Sequence, residues 1–152
     1  MACKIILKTK KIPLIQKIYY PLPPTLNETI NLARTGKYVS SGIKKKWNKL
    51  ISANSANLKP YSSERKVWFH FTWILKSKMR DFDNVSSGIK YILDGLVIAG
   101  IIKDDSQKYV GNRLIHEFMI DRKKGDRCLV TMSDDFNDIQ NLINTFDPDS
   151  VD

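Results

Sequence analysis

Cysteine is scarce in this chain. Cys3 and Cys128 stand far apart, with no CxxC and no Cys/His spacing suited to a metal. That excludes a disulfide scaffold and points to free thiols in a reducing compartment. An isolated Cys is more often a small buried hydrophobe than a nucleophile, so neither reads as catalytic. No apolar run is long enough to span a bilayer, which sets aside an integral membrane protein. The opening MACKIILKTKK lacks the long apolar core and small-residue cleavage site of a secretory leader, so a cytoplasmic location is expected. There is no Gly-rich phosphate loop, no internal repeat and no low-complexity tract. From Asp134 to Asp152 there is no Lys or Arg at all.

What is present is positive charge. The 152 residues carry a formal net charge of +9, with a pI near 9.5. All 25 Lys and Arg precede Asp134, and six Asp follow from there. With the chain at +9 and the tail at −6, residues 1–133 carry +15. A body this basic attracts a polyanion, and with no membrane span DNA or RNA is the better partner than a membrane. The length suits one domain with a real core, here residues 1–133, followed by an acidic tail, 134–152, with a short helix.

The pattern along the chain is mixed α+β: a small mixed sheet with two main helices. Lys4 to Leu7 and Leu14 to Tyr20 read as strands. Tyr19 to Glu28, YYPLPPTLNE, reads as a proline-rich loop, because Pro cannot donate to a ladder and restricts its neighbour. Thr35-Gly36 marks a turn. Ser40 or Ser41 can cap a helix running to Asn54, with Ile43, Trp47, Leu50 and Ile51 on one face. Lys66 to Lys76, KVWFHFTWILK, is the strongest strand, with Val67, Phe69, Phe71, Trp73 and Leu75 facing one way. A second helix is predicted from about Val85 to Ala99, ending at Gly100. Leu114 to Ile120 and Arg127 to Met132 read as a hairpin joined by RKKGD. In the tail, Phe136, Ile139, Leu142, Ile143 and Phe146 make a helical stripe.

The chemistry concentrates between Arg80 and Val110. Asp81 and Asp83 flank Phe82, and in an extended segment they point to one side, within reach of one ion. Asp83-Asn84 can instead cap the following helix. Lys90 lies seven positions past Asp83, about two helical turns, and a lysine leans back toward the helix N-terminus. Asp104-Asp105 follows the turn after Gly100, and a strand–helix–turn return brings it back beside the first pair. Each feature has a plain reading as well: a helix cap, an ordinary turn, and an i,i+4 surface ion pair between Lys90 and Asp94. Together, clustered carboxylates beside a lysine on a basic chain point to metal-dependent phosphodiester chemistry.

In this order the residues resemble the RusA family of Holliday-junction resolvases, endonucleases often carried by phages and prophages. The family pattern is roughly DxDN, K, LDxL, an apolar residue or two, G and DD. Here it reads Asp81-Phe82-Asp83-Asn84, Lys90, Leu93-Asp94-Gly95-Leu96, Ala99-Gly100 and Asp104-Asp105. LPPTLNE, Leu22 to Glu28, is similar to the family's proline-proline loop. The likeness covers most of Tyr19 to Met132. One departure is a few extra residues between Asn84 and Lys90, absorbed in Val85-Ser86-Ser87-Gly88. The resemblance implies a RusA-like fold, a homodimer, and a bacterial or phage-infected host cytoplasm. It implies that Asp81, Asp83 and Asp105 are the catalytic acids that bind Mg²⁺, with Asp104 a further metal candidate and Lys90 the essential lysine. Mn²⁺ is expected to substitute, and no organic cofactor is expected. The substrate implied is a four-way junction or other branched DNA, resolved by paired symmetric nicks.

Around that site, Arg80 is placed to hold the scissile backbone. Lys44, Lys45, Lys46 and Lys49 form a basic helix face that can track phosphates, or simply a solvated one. Asn27 and Tyr38 can line the DNA path, and Phe82 can act as a wedge or stack. His70 and His116 read as structural, and Trp47, Trp68 and Trp73 as core. The tail helix either docks on the body or a partner subunit, or competes with DNA for the basic surface. Two other classes stay open: a non-catalytic branched-DNA-binding module of the same fold, and a nucleotidyl- or glycosyltransferase using the DxD triplet. The missing phosphate loop and the charge of the body weigh against the second.

Overall fold

The computed structural model describes residues 12–149. The strand expected at Lys4 to Leu7, and Cys3, lie outside them. Four strands form one sheet: β1 (Ile15–Pro21), β2 (Val67–Leu75), β3 (Val110–Ile120) and β4 (Arg127–Ser133), in the order β1-β4-β2-β3. β2 and β3 run parallel, while β4 is antiparallel to both β1 and β2. Helices α1 (Leu26–Thr35), α2 (Lys37–Asn54), α4 (Ile89–Ile98) and α5 (Phe136–Thr145) accompany the sheet, with a short helix α3 (Phe82–Ser86) before α4. The mixed α+β class is as expected. The two main helices are there as α2 and α4, but α1 and the α3/α4 break are additions. No helix among the described residues is long and apolar enough to cross a membrane.

β2 organises the molecule. Its alternate residues Val67, Phe69, Phe71, Trp73 and Leu75 are all buried and enter one continuous core. Ile51 of α2, Ile92, Leu93 and Leu96 of α4, and Val130 and Met132 of β4 join them there. The opposite face carries Trp68, His70, Thr72 and Ile74, and α5 lies against it. Phe136 packs on Trp68 with ring centroids 4.7 Å apart, and Phe146 lies 6.1 Å from the His70 ring. Ile139 of α5 is fully buried. Because both faces of β2 are covered, its sequence is apolar almost throughout, as central strands are.

The predicted hairpin between β3 and β4 does not form. β2 lies between those strands and pairs with each. The intervening link crosses the end of β2 instead: Asp121 N donates to Leu75 O at 2.8 Å, and Lys76 N donates to Asp126 Oδ1 at 2.9 Å. A strand apolar on both faces gains more by taking two partners than by lying at an edge. Asp121 is buried and accepts from Arg127 at 2.8 Å and from the amides of Lys123 and Lys124, and its carboxyl is held down to about 2 by the Arg127 bond first.

The proline-rich stretch is also shorter than expected. Pro23 and Pro24 end it, and Thr25 caps α1 in a reciprocal box with Glu28: Thr25 N donates to Glu28 Oε2 at 2.7 Å and Glu28 N to Thr25 Oγ1 at 3.4 Å. Gly36, at φ 150°, turns the chain from α1 into α2, which begins at Lys37 rather than at Ser40. α2 crosses α4 closely. A Cβ on Gly95 would collide with the Ile51 side chain, so only glycine permits this approach.

Candidate active site

The acidic stretch begins where β2 ends. After Leu75 the chain turns, and Arg80 is fixed by an ion pair with Asp126 at 3.1 Å. Asp81 then becomes the N-cap of α3 in an extended conformation (φ −72°, ψ 137°), but its side chain makes no capping hydrogen bond. Phe82 opens the helix, so Asp83 lies in the first helical turn, where its Oδ1 accepts from Asn84 N at 2.9 Å. This corrects two expectations. The triplet is not extended throughout, since a helix opens at Phe82, and the cap is Asp81 rather than Asp83-Asn84. A helix starts between them because Asp81 O accepts from Val85 N at 3.1 Å, closing the first turn. Both carboxylates remain exposed.

Asn84 has a structural task. Its Oδ1 accepts from Asn27 N at 2.8 Å, satisfying one of the unpaired amides at the start of α1. The proline loop and the DFDN segment are thereby fastened together, which places Asn27 beside the acidic stretch. Phe82 is 61 % exposed, yet stacks on Phe118 of β3 with centroids 4.1 Å apart.

The single helix expected from Val85 to Ala99 breaks at Ser87-Gly88, within the residues read as extra relative to the family pattern. Gly88 is buried against Pro23, and α4 restarts at Ile89. α4 projects Lys90 from its first turn. Lys90 Nζ donates to Asp94 Oδ1 at 2.8 Å and to Asp105 Oδ2 at 3.0 Å. The plain i,i+4 pair and the approach to the second acidic pair are therefore both present. Asp94 also faces Lys44 of α2, with Nζ 3.8 Å from Oδ2. Hydrogen bonds to Asp94, then to Asp105, raise the Lys90 ammonium above the usual lysine range. The bond from Lys90 lowers the Asp105 carboxyl. At neutral pH the pair is thus an ammonium and a carboxylate.

Asp94 is the residue that sequence reasoning undervalued. It enters as half of a surface ion pair and as part of the LDGL match with no role assigned, yet its side chain is 16 % exposed and lies between two lysines. The helical period gave little signal, because Ile92, Leu93, Gly95 and Leu96 face the core and Asp94 falls on the opposite side, where Lys44 and Lys90 cover it. Asp104 is exposed beside Asp105. Lys45, Lys46 and Lys49 are exposed on α2 along with Lys44, as a basic face requires, and Tyr38 is 91 % exposed.

Oxygen donors of the kind Mg²⁺ takes are therefore at hand in Asp81, Asp83, Asp104 and Asp105. Among the described residues no three Asp, Glu, His or Cys side chains stand together as a cage. Mg²⁺ is commonly held by one or two carboxylates with waters and substrate phosphates, so the donor set fits in kind without such a cage. No family model and no curated protein matches this chain.

The histidines lie apart from this cluster. His70 is buried on the α5 face, its Nε2 has no hydrogen-bond partner among the described residues, and burial pushes it down to about 4. His116 accepts from Trp73 Nε1 at 2.9 Å, and burial lowers it too. Both lie within the sheet, in β2 and β3, rather than among the acidic residues.

Proposed function

We propose that this protein is a metal-dependent, structure-selective endodeoxyribonuclease that resolves four-way DNA junctions by paired symmetric nicks, acting as a homodimer in recombination and repair. The observation that carries the reading is Lys90, which joins α4 to Asp105 while Asp81 and Asp83 stand exposed at the start of α3. Lys90 thus ties the second acidic pair to the helix that follows the first, on a body charged +15.

Mg²⁺ or Mn²⁺ would be held by carboxylates from this set, Asp81 and Asp83 at the start of α3 and Asp105 with Asp104 after α4, completed by waters and substrate phosphates. When bound, the metal supplies an activated water and offsets charge on the phosphate. Lys90 contributes as a cation, because a raised ammonium cannot serve as a base near neutral pH. Its role is to offset the charge that develops on the phosphorane oxygens. Exposed lysines of α2 hold the flanking backbone, and these contacts supply affinity without sequence choice. Two symmetric sites are what a pair of nicks on opposed strands requires.

A second reading has one observation in its favour. Lys90 already neutralises Asp105, as it would in a branched-DNA-binding module that has no catalysis. Asp83→Asn separates the two. On the nuclease reading this variant binds a four-way junction as the native protein does, but cuts it about 10²-fold more slowly or worse. Equal cutting by both proteins would remove Asp83 from the site.

A further inference from the structure

Lys90 has two carboxylates to bind, and only one of them is a metal candidate. Asp94 Oδ1 takes it at 2.8 Å and Asp105 Oδ2 at 3.0 Å. Asp94 is one helical turn from Lys90, is largely buried, and has Lys44 on its other oxygen. Asp105 is on the turn after α4 and is more exposed, at 30 %. The two acceptors therefore differ in permanence. Asp94 is fixed by the helix it shares with Lys90; Asp105 lies outside any helix and is the more open of the two to solvent and to an incoming cation.

We infer that Asp94 is a positioning residue that retains Lys90 when a divalent cation takes over the Asp105 carboxylate. A cation and an ammonium compete for the same oxygens. With Asp94 in place, Lys90 surrenders one hydrogen bond and keeps the other, staying beside the metal as a fixed positive charge. Without Asp94, the ammonium has Asp105 alone, and the metal must displace its sole charged partner. Asp94 thus lowers the cost of metal entry and prevents Lys90 from swinging into solvent, where its long side chain would lose position. This inference rests on the nuclease reading above, since it takes Asp105 as a metal ligand.

The test is Mn²⁺ binding to the whole protein without DNA, read by electron paramagnetic resonance, for native, Asp94→Asn, Lys90→Met and the double variant. Asp94→Asn is expected to weaken Mn²⁺ binding by about tenfold, the scale of one charge-assisted hydrogen bond. Lys90→Met is expected to tighten it, because the competitor is gone. The double variant should match Lys90→Met, since Asp94 acts only through Lys90. A merely structural Asp94 would weaken binding in both backgrounds, and that result overturns the inference. So does unchanged binding in Asp94→Asn. If the native protein binds Mn²⁺ nowhere and Asp105→Asn changes nothing, the nuclease reading itself falls, which is a distinguishable outcome.

Discussion

Lys90 and His70 are opposite cases of a titratable side chain in this protein. Lys90 is 63 % exposed and finds two carboxylates, so it stays charged. Its replacement by Met should leave junction binding nearly intact and lower cutting by about 10²–10³-fold, the scale of one lost electrostatic stabiliser. Matched binding and single-turnover assays check this. His70 is buried, with no partner for Nε2 among the described residues, and pushed down to about 4 from 6.5. The unfolded chain therefore binds a proton on His70 between those values and the folded chain does not. Stability from this group is complete above about pH 6.5 and is lost as pH falls toward 4, by roughly 2–3 kcal/mol. Urea unfolding of His70→Gln against pH should show a shallower decline across that window. An equally steep decline would assign the acid sensitivity elsewhere.

Among the elements, the β2–α3–α4–β3 segment is a parallel crossover that returns the chain beside the strand it left. Its tightest point is Gly95 against Ile51 of α2. Gly95→Ala should destabilise the protein by about 1–3 kcal/mol through overpacking, despite the better helix propensity of Ala. A thermal melt that rises would contradict the close approach. α5 is a second case. Ile139 is fully buried and Phe136 covers Trp68, so ending the chain before Asp134 should expose the rear of the sheet and lower stability steeply. The acidic tail is thus bound to the body through α5, and its charge is better removed by Asp147→Asn and Asp149→Asn than by deletion.

These elements also mark what was legible in the sequence. β2 was readable because its alternation is long and aromatic, and α5 because five apolar residues fall on one stripe. The hairpin was misread since RKKGD looks like a turn, and nothing local says that β2 will enter between the strands. α1 was readable and missed: Thr25 and Glu28 spell a capping box, hidden by the two prolines before it. Lys90 beside Asp105 was visible only through order and spacing. The helix start between Asp81 and Asp83 depends on the Asp81–Val85 backbone bond, which alternation alone does not reveal.

At the scale of the molecule, charge governs. Residues 1–133 carry +15, and the exposed lysines of α2 lie on the helix that packs against α4, the helix of Lys90. Junction affinity should therefore fall by roughly 10³-fold between 50 and 200 mM salt, as for proteins contacting several phosphates. A flat salt response would mean that the basic face is not the DNA surface. The central claim is tested most directly by labelling each strand of a four-way junction in turn and adding the purified protein with Mg²⁺. The account predicts nicks at symmetric positions in one pair of opposed strands, absent from linear duplex and absent with Asp83→Asn. Tight binding with no nick in any strand, under Mg²⁺ and Mn²⁺ alike, would contradict it.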